Sequence, residues 1–455
     1  MGASSARFAA ATMQDDILVF EIVEQVSHAP TLSGPARTLQ WNSELLFDLC
    51  DRAVGYASAN FDEATIGVDT WGVDIGFARK DDPGTWELVN GLVAYRDESH
   101  GRAMLEAESH QERLYALTGV QRQPFNTLNQ LIARRLEDAT LPIRAGWMLL
   151  PDLMADRLTC RDGARTGPRQ FEFELTIAST TQLMGLDCQW CEEAFAVAGW
   201  PVPELQPERP GRMIGHAAPG VEVIRVGGHD TASAVCGLGE LAEDAAFMSV
   251  GTWSLLGCLL EHPLVSEGAR IGNFSNERAV DGKVRFLKNM PGFFVLNRLR
   301  EELGVNEPMG DWLEHADQSC DDRLDLFDDA LFNPVSMTSS VIEQLGREPR
   351  THEEWAGIAL MSLAETTAAE LRHLESVTGR SLGSIRAGGG GSASTAFCQA
   401  MADACGRPVV AGPVEVTVLG NLGVQLLAKG IVSSRLELDE LLRRSVRTEV
   451  FHPRE

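Results

Sequence analysis

The chain has 455 residues, too many for one hydrophobic core, so two or more domains are expected. Hydrophobic residues at 44% and charged residues at 23% are ordinary for a soluble globular enzyme, and a net charge of −26 repels nucleic acid and anionic membranes and excludes both as partners. Nine scattered cysteines without framework spacing point to reduced thiols in the cytoplasm, and Cys188 and Cys191 have CxxC spacing with no second Cys/His pair nearby.

No signal-peptide pattern opens the chain, and no apolar run reaches the ~18 residues of a membrane span. Met1–Ala6 resembles an N-myristoylation signal, but Ala6 stands where Ser or Thr is needed. Gly2-Ala3-Ser4-Ser5-Ala6-Arg7 reads as a small polar turn, which fits either a phosphate-binding turn or a disordered terminus. Residues 40–60 and 105–136 carry helix-spaced apolar positions, with Leu128, Leu131, Ile132 and Leu136 on one face. Ala64–Asp69 is an apolar run ending in an acid, and with Ile75–Ala78 it reads as a hairpin around a glycine turn. Asp81-Asp82-Pro83-Gly84 is a further turn, and the Pro- and Gly-rich stretch 201–222 reads as irregular connection.

Beyond residue 240, Ala246–Val250 and Ser254–Leu260 read as paired strands, and Val284–Leu287 as another. Residues 305–352 are acidic and interrupted by Pro334 and Pro349, so a loosely patterned excursion is expected there, followed by one helix over 353–378. Ser384–Ala387 enters four glycines at 388–391, and Ser394–Cys405 has helical spacing. Pro408–Ala411 reads as a strand and Glu415 to about Lys429 as a small-residue helix. Strand, glycine loop, helix, strand and helix together argue an α/β layout.

Three segments carry chemistry. Gly227-Gly228-His229-Asp230-Thr231-Ala232-Ser233-Ala234 delivers an acid to a helix start, where the helix dipole favours an ionised carboxylate, the form needed in a general base. Asp is also a good helix N-cap, and a turn His is often only hydrogen-bonded. Gly251-Thr252, between two apolar runs, offers backbone N–H groups and a hydroxyl to a phosphate, although a plain hairpin turn also fits. The glycines at 388–391 fit close approach by a nucleotide or a left-handed turn, with neither Walker nor GxGxxG spacing. A base and a phosphate cradle on one chain point to phosphoryl transfer to a hydroxyl.

Taken together, these segments resemble the FGGY carbohydrate kinases, and most closely their rhamnulokinase branch. The resemblance runs nearly end to end. It is carried by Ile66–Asp74 (IGVDTWGVD), Gln123–Leu128, Pro151-Asp152-Leu153, Ala178–Leu183, Gly228–Ala234, Ser249–Leu255, Asn273–Glu277, Arg285–Asn289 (RFLKN) and Ala411–Glu415. The DTWGVD and RFLKN strings mark the branch, whereas GHDTASA marks the wider family.

The resemblance implies two actin-like ATPase (ribonuclease H-like) domains with a cleft between them, a sugar-binding domain over 1–235 and a nucleotide-binding domain over 236–455. It implies transfer of the ATP γ-phosphoryl group, with Mg²⁺, to the 1-hydroxyl of L-rhamnulose in a cytoplasmic monomer or homodimer. Carried over by position, Asp230 is the base, and Gly72, His229 and Thr231 touch sugar with it. Ala3, Ser4, Ser5, Ala6 and Arg7 form a first phosphate turn and Thr252 lies in a second. Asn289 and Asn297 line the nucleotide side, and Gly391 backs the adenosine.

Three departures from the family pattern stand out. The family's first strand and its Mg²⁺-associated Asp, just ahead of the turn at Ala3–Arg7, are absent, so no metal-binding residue is identified. The expected explanation is that Met1 is an internal codon of a longer protein; a catalytically impaired sugar- or nucleotide-binding protein is the alternative. Ala6 replaces a preferred Gly, Ala393-Ser394 replaces Gln-Asn, and Asn297 replaces Gln. A kinase of the same family for another ketose, such as fuculose or xylulose, is the neighbouring expectation.

Overall fold

The computed structural model describes residues 1–34, 37–79, 88–160, 171–332 and 334–454, so the turn expected at Asp81–Gly84 lies outside the described residues. Two units emerge. The first is Met1–Gly237 with Leu260–Phe286 and Thr417–Ser445; the second is Leu238–Leu259 with Leu287–Val416 and Val446–Glu455.

The core of the first unit forms where apolar spacing meets a buried strand pair. Leu128, Leu131 and Ile132 of the helix Thr127–Glu137 are fully buried. They join Trp147, Phe173, Trp190, Phe195 and Trp200 in one cluster, with the Trp147 and Phe173 rings 4.8 Å apart. Leu136 is 56% exposed: at the last turn its helix has passed the core edge, so the single face expected for it ends one turn earlier. The stretch 105–136 is not one helix; Gly119, at φ 66°, stops the helix Gln111–Thr118 before Thr127–Glu137 begins.

The hairpin expected over 64–78 does not form. Ala64–Ile66 pairs in parallel with Val221–Arg225, whereas Ile75–Arg79 pairs antiparallel with the fully buried strand Ala145–Leu149. The residues between them are committed to buried polar contacts, which carry the chain from one sheet to another. Nor is 201–222 irregular throughout: Arg212–Ala218 and Val221–Arg225 form an antiparallel pair. Their flanking glycines, Gly211 (φ 98°) and Gly220 (φ 76°), are the turn signals that made the segment read as connection.

Ser5–Gln14 pairs with Ile17–Ser27 through a two-residue turn, Asp15-Asp16, with φ of 48° and 60° as a type I′ hairpin requires. The small polar turn expected over 2–7 is therefore shorter than predicted: Ser5, Ala6 and Arg7 already belong to this strand. Among the described residues, Ser5–Gln14 has no strand partner besides Ile17–Ser27, and Ala64–Ile66 none besides Val221–Arg225. Residues 9–11 of one strand and 64–66 of the other line a cavity of about 740 Å³, with Asp69, Asp230 and Met1 also on its wall.

In the second unit the strands lie side by side in the order Val284–Pro291, Trp253–Leu260, Ala245–Val250, Ser384–Gly388, Val409–Ala411, Glu449–Phe451. Ala245–Val250, Ser384–Gly388 and Val409–Ala411 run parallel, flanked by antiparallel Trp253–Leu260 and Glu449–Phe451. The helices His352–Thr378 and Thr395–Cys405 form as the sequence predicts, each capped by a hydroxyl, Thr351 and Ser394, and stopped by a left-handed glycine, Gly379 and Gly406. Among its described residues, the acidic excursion 305–352 holds short helices, Met309–Glu314 and Met337–Leu345, and a 3-10 turn.

Candidate active site

In the first unit, the carboxyl ends of two parallel strands meet. The ladder of Ala64–Ile66 with Val221–Arg225 is extended by a bridge between Thr70 and His229. The Thr70 amide donates to Gly228 O (2.9 Å), and the Asp230 amide donates to Thr70 O (2.8 Å). Ligands of open α/β sheets gather at such strand ends. Gly72 lies against the His229 ring, where a Cβ would be 3.2 Å from Nε2. Thus Gly72, His229, Asp230 and Thr231 come together as predicted from sequence.

Asp230 opens the helix Asp230–Gly237, its side chain 30% exposed and accepting from Thr231 Oγ1 at 3.2 Å. The loop before it is pinned by buried acids. Glu174 Oε2 accepts from the Gly228 amide (2.9 Å) and from Thr176 Oγ1 (2.6 Å), and Thr176 Oγ1 accepts from the His229 amide (3.3 Å). Asp152 in turn accepts from the Glu174 amide at 3.1 Å. Burial pushes the Glu174 carboxyl up, and the Asp152 carboxyl up to about 8.

His229 Nε2 is 3.5 Å from Asp230 Oδ1, while its Nδ1 faces two fully enclosed groups, Arg285 Nη2 (3.1 Å) and Glu277 Oε2 (3.3 Å). Burial works against the Glu277 charge, but Arg285 and His229 more than offset it and hold the carboxyl below its usual range.

Asp69 is buried beside this loop. Asn421 Nδ2 donates to its Oδ2 at 2.6 Å, and the Met1 ammonium donates to its carbonyl at 2.7 Å. Burial pushes the Asp69 carboxyl up, and the nearby charge of Asp230 adds to the effect. Asn421 is held by Gln425 (2.7 Å), which accepts from Thr65 Oγ1 (2.6 Å). Next along the chain, Val73 is left-handed at φ 68°, an outlier for a β-branched residue, with Thr127 Oγ1 donating to its carbonyl at 2.7 Å. Asp74 Oδ2 accepts from the indoles of Trp41 (2.6 Å) and Trp71 (2.7 Å), and burial pushes its carboxyl up to about 7. Of the expected phosphate turn, Ala3 and Ser4 form a bend, and Gly2 O lies 2.9 Å from His28 Nε2.

The second unit places its own glycine loops at strand carboxyl ends. Gly251-Thr252 follows Ala245–Val250, and Gly389–Gly391 follows Ser384–Gly388 next to it. The Phe293 and Phe294 amides donate to Gly251 O (2.9 Å) and Thr252 O (3.2 Å), which docks the helix Phe294–Glu302, carrying Asn297, on the first loop. A Cβ on Gly391 would lie 2.2 Å from Val250 Cγ1, so the two loops are in contact. Asn289 sits half-buried on Val284–Pro291. The cluster Cys320, Asp322 and Glu354 has metal-ligand spacing, but Arg347 donates to both of its acids.

The C-terminal domain of the FGGY family of carbohydrate kinases matches residues 246–429. A rhamnulokinase from Klebsiella pneumoniae is 33% identical over 403 residues, spanning 86% of this chain and 80% of that protein. The chain belongs to the FGGY family of carbohydrate kinases. Its fold agrees: a xylulose kinase and a gluconate kinase from Lactobacillus acidophilus align over the whole chain and 92% of their own length, with TM-scores of 0.75 and 0.76 at 15% and 16% identity. A Plasmodium falciparum glycerol kinase with ADP gives 0.75 at 15% identity, covering 99% of this chain and 92% of its own. As an FGGY kinase, the protein has the actin-like ATPase fold of that family. No described helix is long and apolar enough to cross a membrane.

Sequence reasoning assigned no role to Glu174, Asp69, Arg285 or Asn421. Asn421 and Gln425, four apart in a helix of small and apolar residues, were the available signal for a buried polar contact.

Proposed function

We propose that this kinase transfers the γ-phosphoryl group of ATP to the 1-hydroxyl of L-rhamnulose, giving L-rhamnulose 1-phosphate and ADP. Residues 1–235 serve the sugar, supported by Leu260–Phe286 and Thr417–Ser445 of the same unit, and the rest of 236–455 serves the nucleotide. The observation that carries the reading is Asp230: a partly exposed acid at a helix start, beside Gly72 and His229, on a loop pinned by Glu174. The choice of sugar rests on the rhamnulokinase similarity and on the strings at Asp69–Asp74 and Arg285–Asn289.

Asp230 takes the hydroxyl proton as the sugar oxygen bonds to the γ-phosphorus and the bond to the ADP oxygen breaks. His229 and Thr231 orient the sugar. In the second unit, Thr252 takes phosphate and Gly391 backs the adenosine, with Asn289 and Asn297 alongside; in the first unit, the Ala3–Arg7 segment is a phosphate turn. Mg²⁺ would neutralise phosphate charge when bound. Asp69, whose charge the nearby Asp230 disfavours, and Asp230 itself are the hard oxygen donors such an ion takes.

The test is ketose-dependent ADP release with ATP and Mg²⁺, comparing L-rhamnulose, fuculose and xylulose. L-Rhamnulose is expected to give the highest kcat/KM, and Asp230→Ala to lose about 10²–10⁴-fold in kcat. A higher kcat/KM for another ketose reassigns the substrate. Sugar binding without turnover of any ketose makes the chain a sugar-binding protein.

A further inference from the structure

Among the described residues Arg285 is the largest side chain that is fully buried, 0% exposed, yet it carries a charge. Its Nε donates to Arg278 O at 3.0 Å, and its Nη2 lies 3.1 Å from both Glu277 Oε2 and His229 Nδ1. A guanidinium has only donors, and the Nη2 contact with hydrogen-bond geometry is the one to His229 Nδ1, Glu277 being an ion-pair neighbour. His229 Nδ1 must then accept, and the ring proton sits on Nε2, the nitrogen that faces Asp230 Oδ1 at 3.5 Å. The competing arrangement puts the proton on Nδ1, donating to Glu277 Oε2 at 3.3 Å, and would turn an N–H toward Arg285. Glu277 Oε2 has no hydrogen bond of acceptable geometry to either His229 or Arg285 and stands as an ion-pair partner only, whereas the Arg285 Nη2 to His229 Nδ1 contact has that geometry, which favours the first.

We propose that Arg285 is a positioning residue that fixes His229 as its Nε2–H tautomer, so that this N–H is presented beside Asp230 as a donor to a sugar oxygen. The role in sugar binding rests on the function proposed above; the tautomer does not. Glu277 holds the guanidinium in place and supplies its counter-charge. Sugar recognition by this His is then that of a donor, and a ketose whose oxygen at this point cannot accept is discriminated against.

The test is ¹⁵N NMR of histidine-labelled protein without ligand, where the two tautomers have distinct nitrogen shifts, assigned with His229→Gln. The wild type is expected to show Nε2–H. Arg285→Lys, which keeps a donor-only head, retains it. Arg285→Met loses it, and its sugar KM rises about tenfold or more while the ATP KM stays within about threefold. If Arg285→Met does not fold, the double variant Glu277→Gln with Arg285→Met, which leaves no lone buried charge, carries the same expectation. An Nδ1–H wild type, or an unchanged tautomer without Arg285, overturns the proposal; so does a tautomer change that leaves the sugar KM where it was. Failure of every ketose to turn over would defeat the proposed function instead, and the spectrum would still decide the tautomer.

Discussion

Gly420 is packed onto the carbonyl of Ser233 so closely that a Cβ on it would lie 1.7 Å from that oxygen. The helix Val416–Ala428 thereby touches, backbone to backbone, the helix Asp230–Gly237 whose first residue is the candidate base. The same helix holds Asp69 through Asn421, one residue further on. Gly420→Ala is therefore expected to push the two helices apart. It should cost about 2–4 kcal/mol of stability, read by denaturant unfolding. It should also lower kcat by more than Gly55→Ala, a control inside the helix Ser43–Asn60 where no atom lies within 4 Å of the added Cβ. Equal effects of the two would show that the contact does not position Asp230.

Asp74 gives a pH dependence with a definite sign. Its carboxyl titrates near 3.8 in the unfolded chain and at about 7 in the fold, where burial outweighs the indole hydrogen bonds. The folded state therefore holds a proton that the unfolded state has lost. The stability this contributes is complete below 3.8 and disappears as pH rises to about 7. Asp74→Asn cannot titrate. Measured by thermal unfolding, the Tm of the variant relative to wild type should rise by about 4 °C or more between pH 4 and pH 8. A constant difference would mean that Asp74 is ionised throughout.

Part of this was legible from sequence because it is local. Asp230 at a helix start, the helix over 352–378, and the glycine loop after Ser384–Gly388 follow from caps, periodicity and turns within a few residues. What was not legible is long-range. Ile66 and Ile75 were read as hairpin neighbours because a glycine turn separates them, but each strand finds a partner far along the chain, at Val223 and Leu149. The contact of Asn421 with Asp69 spans 352 positions, and that of Arg285 with His229 spans 56. A hydrophobic period says which face is buried, not which polar atom lies opposite.

The strand Ser5–Gln14 carries a prediction about dynamics. Its amides alternate between those directed at Ile17–Ser27 and those directed away. The outward set has no strand partner among the described residues and faces the cavity of about 740 Å³. In hydrogen exchange, about half the amides of this strand should exchange fast while the alternate ones are protected. Uniform protection would mean that another segment pairs along this edge.

In the second unit Gly389 has φ 95°, where a side chain is strained, and a Cβ there would lie 2.7 Å from Val250 O. Val250 directly precedes Gly251-Thr252, so a shift at Gly389 is passed to the neighbouring loop through backbone rather than through a flexible side chain. Gly389→Ala should therefore spoil both candidate nucleotide loops at once, raising the KM for ATP roughly 10- to 100-fold. The proposed sugar site is built from the other unit, so the affinity for sugar alone, measured by calorimetry without nucleotide, should change little. Gly390, a neighbour with nothing within 4 Å of its Cβ position, is the control, and Gly390→Ala should keep an ATP KM close to that of wild type. If both substitutions raise the ATP KM alike, the nucleotide itself, and not the contact with Val250, requires the glycines.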